Sequence, residues 1–142
     1  MLKKKILTGA LTAVLLLTSG ISVALADTNL EGRGFQILGT SWEDYDLTVP
    51  GNNVNDSRGE TSSQTKVTSG ALAGLRVNST GGEELDVRTE SSSGNGSWKY
   101  GVEGGNTYSL NSPQLTGDTL WLQFSTGLFQ GPVTTTGEWR SN

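Results

Sequence analysis

Asp44 and Asp46 are the residues of this chain best spaced to do chemistry. Two positions apart on an extended strand, they point the same way, roughly 6–7 Å from one another. That separation suits a glycosidase carboxylate pair or, with Glu43, a hard-cation site. The plainer alternative is a solvated strand face, backed by Tyr45, Leu47 and Val49 on the other side. Glu83, Glu84 and Asp86 pose the same choice, and there Leu85 and Val87 already define a buried face. The second chemical set is aromatic. Trp42, Trp98, Tyr100, Tyr108, Trp121, Phe124, Phe129 and Trp139 offer a sugar-stacking platform or a partner hot spot. Most of them are expected in the core, because a small domain with few large aliphatics needs their area to fold. Trp121 stands apart. It lies opposite Leu120, Leu122 and Phe124, so it is either exposed or covered by a second layer. The candidate binding residues are therefore Trp121, Trp42, Asp44 and Asp46.

Absences narrow the chemistry further. The chain of 142 residues has no Cys and no His. That removes disulfides, thiolate zinc sites, Cys nucleophiles, Ser-His-Asp catalysis, His metal ligation and a histidine pH switch. Asn52 to Glu60 is rich in side-chain oxygens but does not follow the spacing of a calcium loop, and reads as a turn-rich loop. No catalytic residue, metal ligand or cofactor is assigned.

The elements that must position these residues begin after a leader. Lys3, Lys4 and Lys5 make a positive start, residues 6–23 are mostly apolar and uncharged, and Ala24-Leu25-Ala26 is an A-x-A cleavage site. Residues 1–26 are thus expected to be a secretory signal of bacterial type, leaving 27–142 as one domain released as a soluble extracellular protein. The alternative, an uncleaved anchor, is disfavoured by the Thr, Ser and Gly residues that dilute the apolar run. Loss of the three lysines takes the net charge from −4 to −7. Such a chain lacks the basic stripe that nucleic acid requires, and no membrane span is expected after cleavage.

Past the leader, helical periodicity is absent and alternation dominates. Strands are expected over Gly34–Thr40, Trp42–Val49, Gln64–Thr68, Leu72–Asn78, Glu84–Glu90, Ser97–Glu103, Thr107–Ser112, Thr119–Phe124 and Val133–Trp139. Short strands between Gly, Asn and Ser turns indicate an all-β fold, a small antiparallel sandwich or barrel. One hairpin can be set in register. A three-residue Gly104–Asn106 loop pairs Val102 with Tyr108 and Tyr100 with Leu110, and places Trp98 with them on one buried face.

The stretch Gly96-Ser97-Trp98-Lys99-Tyr100-Gly101-Val102, continued to Tyr108-Ser109, resembles the G-x-W-x-Y-G-V…Y-S segment of secreted lactococcin-type bacteriocins. In that family it lies near the mature N-terminus; here it is mid-chain. The closing Val133 to Trp139 is similar to the V-x-G-x-W tail of small secreted proteins of Bacillus-like bacteria. These resemblances imply a Gram-positive bacteriocin or bacteriocin accessory and carry over no catalytic residue. The reading that follows is a secreted, non-enzymatic binding protein. Its partners would be wall glycan, a wall precursor or a surface protein. A carboxylate-based glycan hydrolase using Asp44 or Asp46 and a passive matrix protein are the alternatives.

Overall fold

A computed structural model describes residues 39–142. The expected signal over residues 1–26 lies outside the described residues. So does the strand expected over Gly34–Thr40, except that Gly39 and Thr40 form a turn. The rest folds as alternation dictates. Eight strands follow in order: β1 (Glu43–Val49), β2 (Gln64–Thr65), β3 (Ala73–Ser79), β4 (Leu85–Ser91), β5 (Lys99–Val102), β6 (Thr107–Leu110), β7 (Thr119–Ser125) and β8 (Val133–Arg140). In β4, Leu85, Val87, Thr89 and Ser91 are buried, while Asp86, Arg88 and Glu90 between them face outward. One short 3-10 turn, Ser57–Gly59, is capped by the Asp56 carboxylate, which accepts from Arg58 N. That is the pattern of a half-buried strand, and β1, β3 and β8 repeat it.

The strands form two four-stranded antiparallel sheets, β1-β8-β3-β6 and β2-β7-β4-β5. The molecule is a small antiparallel β-sandwich. Its core takes Tyr45, Val49, Leu75, Val77, Leu110, Val133 and Trp139 from the first sheet and Leu85, Val87, Val102, Leu120, Leu122 and Phe124 from the second. The Tyr45 and Phe124 rings meet across the layers, centroids 5.2 Å apart. Tyr45 can lie so low because its partner in β8 is Gly137, where a Cβ would stand 2.7 Å from the Tyr45 hydroxyl. The Gly and Trp of the closing segment therefore have packing roles: Gly137 admits Tyr45, and Trp139 is wholly buried.

Two expectations are overturned. Residues 99–102 and 107–110 do not form a hairpin. Val102 pairs with Leu85 in the second sheet, whereas Leu110 pairs with Ala73 and Tyr108 with Leu75 in the first. The Gly104–Asn106 turn is a corner between layers. It joins β3 through hydrogen bonds of Gly105 N to Val77 O (2.7 Å) and Val77 N to Asn106 O (2.9 Å). Nor are most of the eight aromatics core. Only Phe124 and Trp139 are fully buried; Trp42, Trp98, Tyr108 and Trp121 are half-buried, Tyr100 is exposed, and Phe129 is 96% exposed.

A buried lysine helps close one end of the sandwich. Lys66 follows β2, and its Nζ donates to Ser112 Oγ (2.9 Å), to Ser141 O (2.7 Å) and to Ala71 O. All three ammonium hydrogens are used, which is the condition for burying such a group. The bonds tie the second sheet to segments flanking β3, β6 and β8 of the first.

Candidate functional site

The four sequence-derived candidates fall in different places. Asp44 and Asp46 share the exposed outer face of β1, as their parity requires, with Tyr45 and Val49 buried behind them and Leu47 half-buried. Asp44 stands opposite Glu138 and Asp46 opposite Thr136. A cleft of about 580 Å³ beside β1 is lined by Asp46 and not by Asp44, so the two carboxylates do not face one cavity. Trp42 lies on the same outer face against Gly74. The Arg76 guanidinium stands 3.9 Å and the Arg140 guanidinium 4.7 Å from its ring centroid. Arg76 also pairs with Glu138 at 3.2 Å. Two stacked cations hold that ring as a structural clamp.

Trp121 faces outward on the second sheet, opposite Glu90. It is half-buried, and its indole nitrogen is sealed from solvent without a well-formed hydrogen bond. Glu60 lies beside it. Burial pushes the Glu60 carboxyl above its ordinary range, Glu90 and Asp56 push it the same way, and the nearby Trp121 N–H offsets part of this. Glu83 and Glu84 line a polar cavity of about 290 Å³ with Glu103. Among the described residues, no three Asp or Glu side chains converge to hold a metal ion.

The structure assembles one set of groups that local sequence did not bring together. Trp98, Tyr100, Asp86, Ser125, Asn53 and Asn55 line a surface cavity of about 200 Å³ on the second sheet. It exists because of a bulge. Leu85 pairs with Val102 but Val87 pairs with Lys99, so Tyr100 and Gly101 together oppose Asp86. Gly101 takes φ +68°, where a side chain is strained, and its N–H donates to Asp86 Oδ1 at 3.1 Å. The extra residue breaks the alternation. Val102 goes inward at 0% exposure and Tyr100 outward at 69%. Trp98, expected in the core with them, is carried to the surface as well. The Arg88 guanidinium supports it at 4.5 Å from the ring centroid, and Arg88 is itself held by Glu90 (Nε to Oε1, 2.7 Å).

The far wall is equally fixed. Asn52 and Asn53 both sit at φ 57°, a left-handed conformation that Asn tolerates better than most residues. Ser125 Oγ donates to Asn53 Oδ1 at 2.7 Å, and Asn53 N donates to Thr126 Oγ1 at 3.3 Å. Thr126 Oγ1 in turn donates to Pro50 O at 2.8 Å. The cavity thus presents two aromatic side chains, two amides, a hydroxyl and a carboxylate on preorganised backbone. Rings stack on the C–H face of a sugar while amides and carboxylates bind its hydroxyls. The volume is below the roughly 300 Å³ at which drug-sized sites begin, so it suits one ring rather than a chain.

Fold and site together define a two-sheet antiparallel β-sandwich with an aromatic and polar surface cavity. No family model, curated protein or solved structure matches the chain. Among the described residues, no helix is long and apolar enough to cross a membrane.

Proposed function

We propose that the chain is a secreted, non-enzymatic protein that acts outside the cell by binding a surface glycan, in the cavity between Trp98 and Tyr100. The observation that carries this reading is the exposed Tyr100 beside the Arg88-backed Trp98, with Asp86, Asn53, Asn55 and Ser125 around them. The bacterial-type signal expected over residues 1–26 supports wall glycan as the target. The resemblance of Gly96–Ser109 to lactococcin-type bacteriocins supports antagonism of related strains as the biological role. Two residues of that resemblance, Trp98 and Tyr100, line the cavity, and a third, Gly101, forms the bulge beside it.

The test is binding of purified wall polysaccharide and its monosaccharides, followed by tryptophan fluorescence. Tyr100→Ala is expected to weaken binding about tenfold, the order of a lost aromatic contact, and to leave the melting temperature within a degree or two, because the side chain is 69% exposed. Glycan binding equal to that of the unaltered protein would overturn the site. Release of reducing sugar from the glycan would overturn the non-enzymatic reading instead.

A further inference from the structure

The free edges of the two sheets are unlike each other. Three are short or broken: β2 has two residues, β6 has four, and β5 has four and carries the bulge. These are the usual ways of blunting an edge against strand addition. β1 is the exception. It runs for seven residues, and its register with β8 is unbroken from Glu43–Trp139 to Val49–Val133. In an antiparallel pair, alternate N–H and C=O groups point away from the partner strand. Among the described residues, no backbone group pairs with those on the outer side of β1.

The cleft of about 580 Å³ lies along this same edge. Asp46, Leu47 and Thr48 all line it. Successive strand residues point to opposite faces. A cavity touched by all three reaches both faces of β1 toward its C-terminal end, where Pro132 before β8 also lines it. Its remaining wall includes the apolar Pro50, Val54 and Pro132 and the Arg58 side chain, whose charge is paired with Asp56 at 2.6 Å.

Charge selects the occupant. Asp44 and Asp46 project from the outer face of β1, and Glu43 precedes them. A second copy pairing through β1 would set these carboxylates against themselves, and like charges on facing strands are destabilising. A strand with basic residues at two alternate positions would set cations against them instead. We infer that β1 is a docking edge for an extended peptide segment of a partner protein. That segment adds as a fifth strand, with basic side chains over Asp44 and Asp46 and the intervening apolar ones toward Leu47 and the cleft. This surface is on the first sheet and does not depend on the glycan reading, which concerns the second.

The probe is a seven-residue, end-blocked peptide of alternating lysine and valine, titrated into the full chain by calorimetry and by amide NMR. We expect binding with shifts centred on residues 43–49. The alternating glutamate and valine peptide should bind about tenfold more weakly at low salt, and Asp44→Asn with Asp46→Asn should remove that preference. Two further probes carry N-methyl groups on one or the other set of alternate residues. Strand addition requires that one of them lose binding and the other keep it. No binding by the lysine peptide, equal binding by both N-methylated forms, shifts lying elsewhere, or dimerisation of the chain through β1 in sedimentation would each overturn the inference.

Discussion

Glu60 is a carboxyl whose charge the fold disfavours. It is partly covered, and Glu90 and Asp56 add negative potential beside it. Asp56 does not share the difficulty: hydrogen bonds from Arg58, side chain first and backbone second, hold its carboxyl below the ordinary range. A carboxyl raised in the folded state stabilises the fold fully only below its unfolded value, and that contribution is lost as pH climbs through the folded value. At neutral pH the charged Glu60 is therefore a liability. Glu60→Gln is expected to raise stability at pH 7 by no more than about 1 kcal/mol, given solvent screening, and to have little effect at pH 3. Thermal melts at the two values check this, and a variant less stable than its parent at pH 7 contradicts it. At this scale parity was readable from sequence: Trp121, Asp44 and Asp46 all point outward as alternation requires. What covers an outward side chain was not. Glu60 comes to Trp121 through a bridge to Gln123, 63 positions along the chain.

Elements were legible wherever alternation ran unbroken, and the candidate site lies where it breaks. Expected and observed strands coincide to within a few residues from β1 to β8. The hairpin reading failed for two physical reasons. It took Tyr100 and Val102 as one face, which the bulge at Gly101 reverses. It also assumed that strands joined by a short turn share a sheet, whereas β5 finds its partner in β4 and β6 in β3. Both partner choices are made by long-range packing rather than by the turn. The Gly101 of the Tyr-Gly-Val run was the one local signal for the bulge, since Gly inside a strand often marks one. Gly101→Ala puts a Cβ on a residue at φ +68° and is expected to cost about 1–2 kcal/mol. If the strain is relieved by removing the bulge, Tyr100 should turn inward and lose its solvent accessibility. Denaturant melts and tyrosine fluorescence quenching report the two effects. An unchanged melt would mean that the left-handed conformation at Gly101 is not required.

Across the whole molecule, the order β1-β8-β3-β6 and β2-β7-β4-β5 is set by contacts between distant segments, which no local pattern encodes. The same holds for the two buried titratable groups that join the layers. Tyr45 of the first sheet lies on Phe124 of the second, and burial pushes its hydroxyl up to about 12, with Thr135 offsetting little. Lys66 is shifted downward by burial. Their signs oppose each other. Folding favours neutral Tyr45, so its contribution is complete below the unfolded value near 10 and is lost as pH rises toward 12. Folding disfavours charged Lys66, so loss of its proton as pH rises relieves a cost. The rise of the Tyr45 hydroxyl from 10.0 to about 12 is worth about 2–3 kcal/mol. Between pH 10 and 12 Tyr45 therefore contributes a loss of stability, against which Lys66 acts with opposite sign. Tyr45→Phe isolates the two terms. The hydroxyl has no well-formed hydrogen bond, so the variant should match the parent within about 1 kcal/mol at pH 7. At pH 11 it should be the more stable of the two, because the alkaline loss carried by the Tyr45 hydroxyl is absent from it. Urea titrations at both values decide the matter. A parallel alkaline decline in both proteins would show that Tyr45 is not the group that limits the sandwich at high pH.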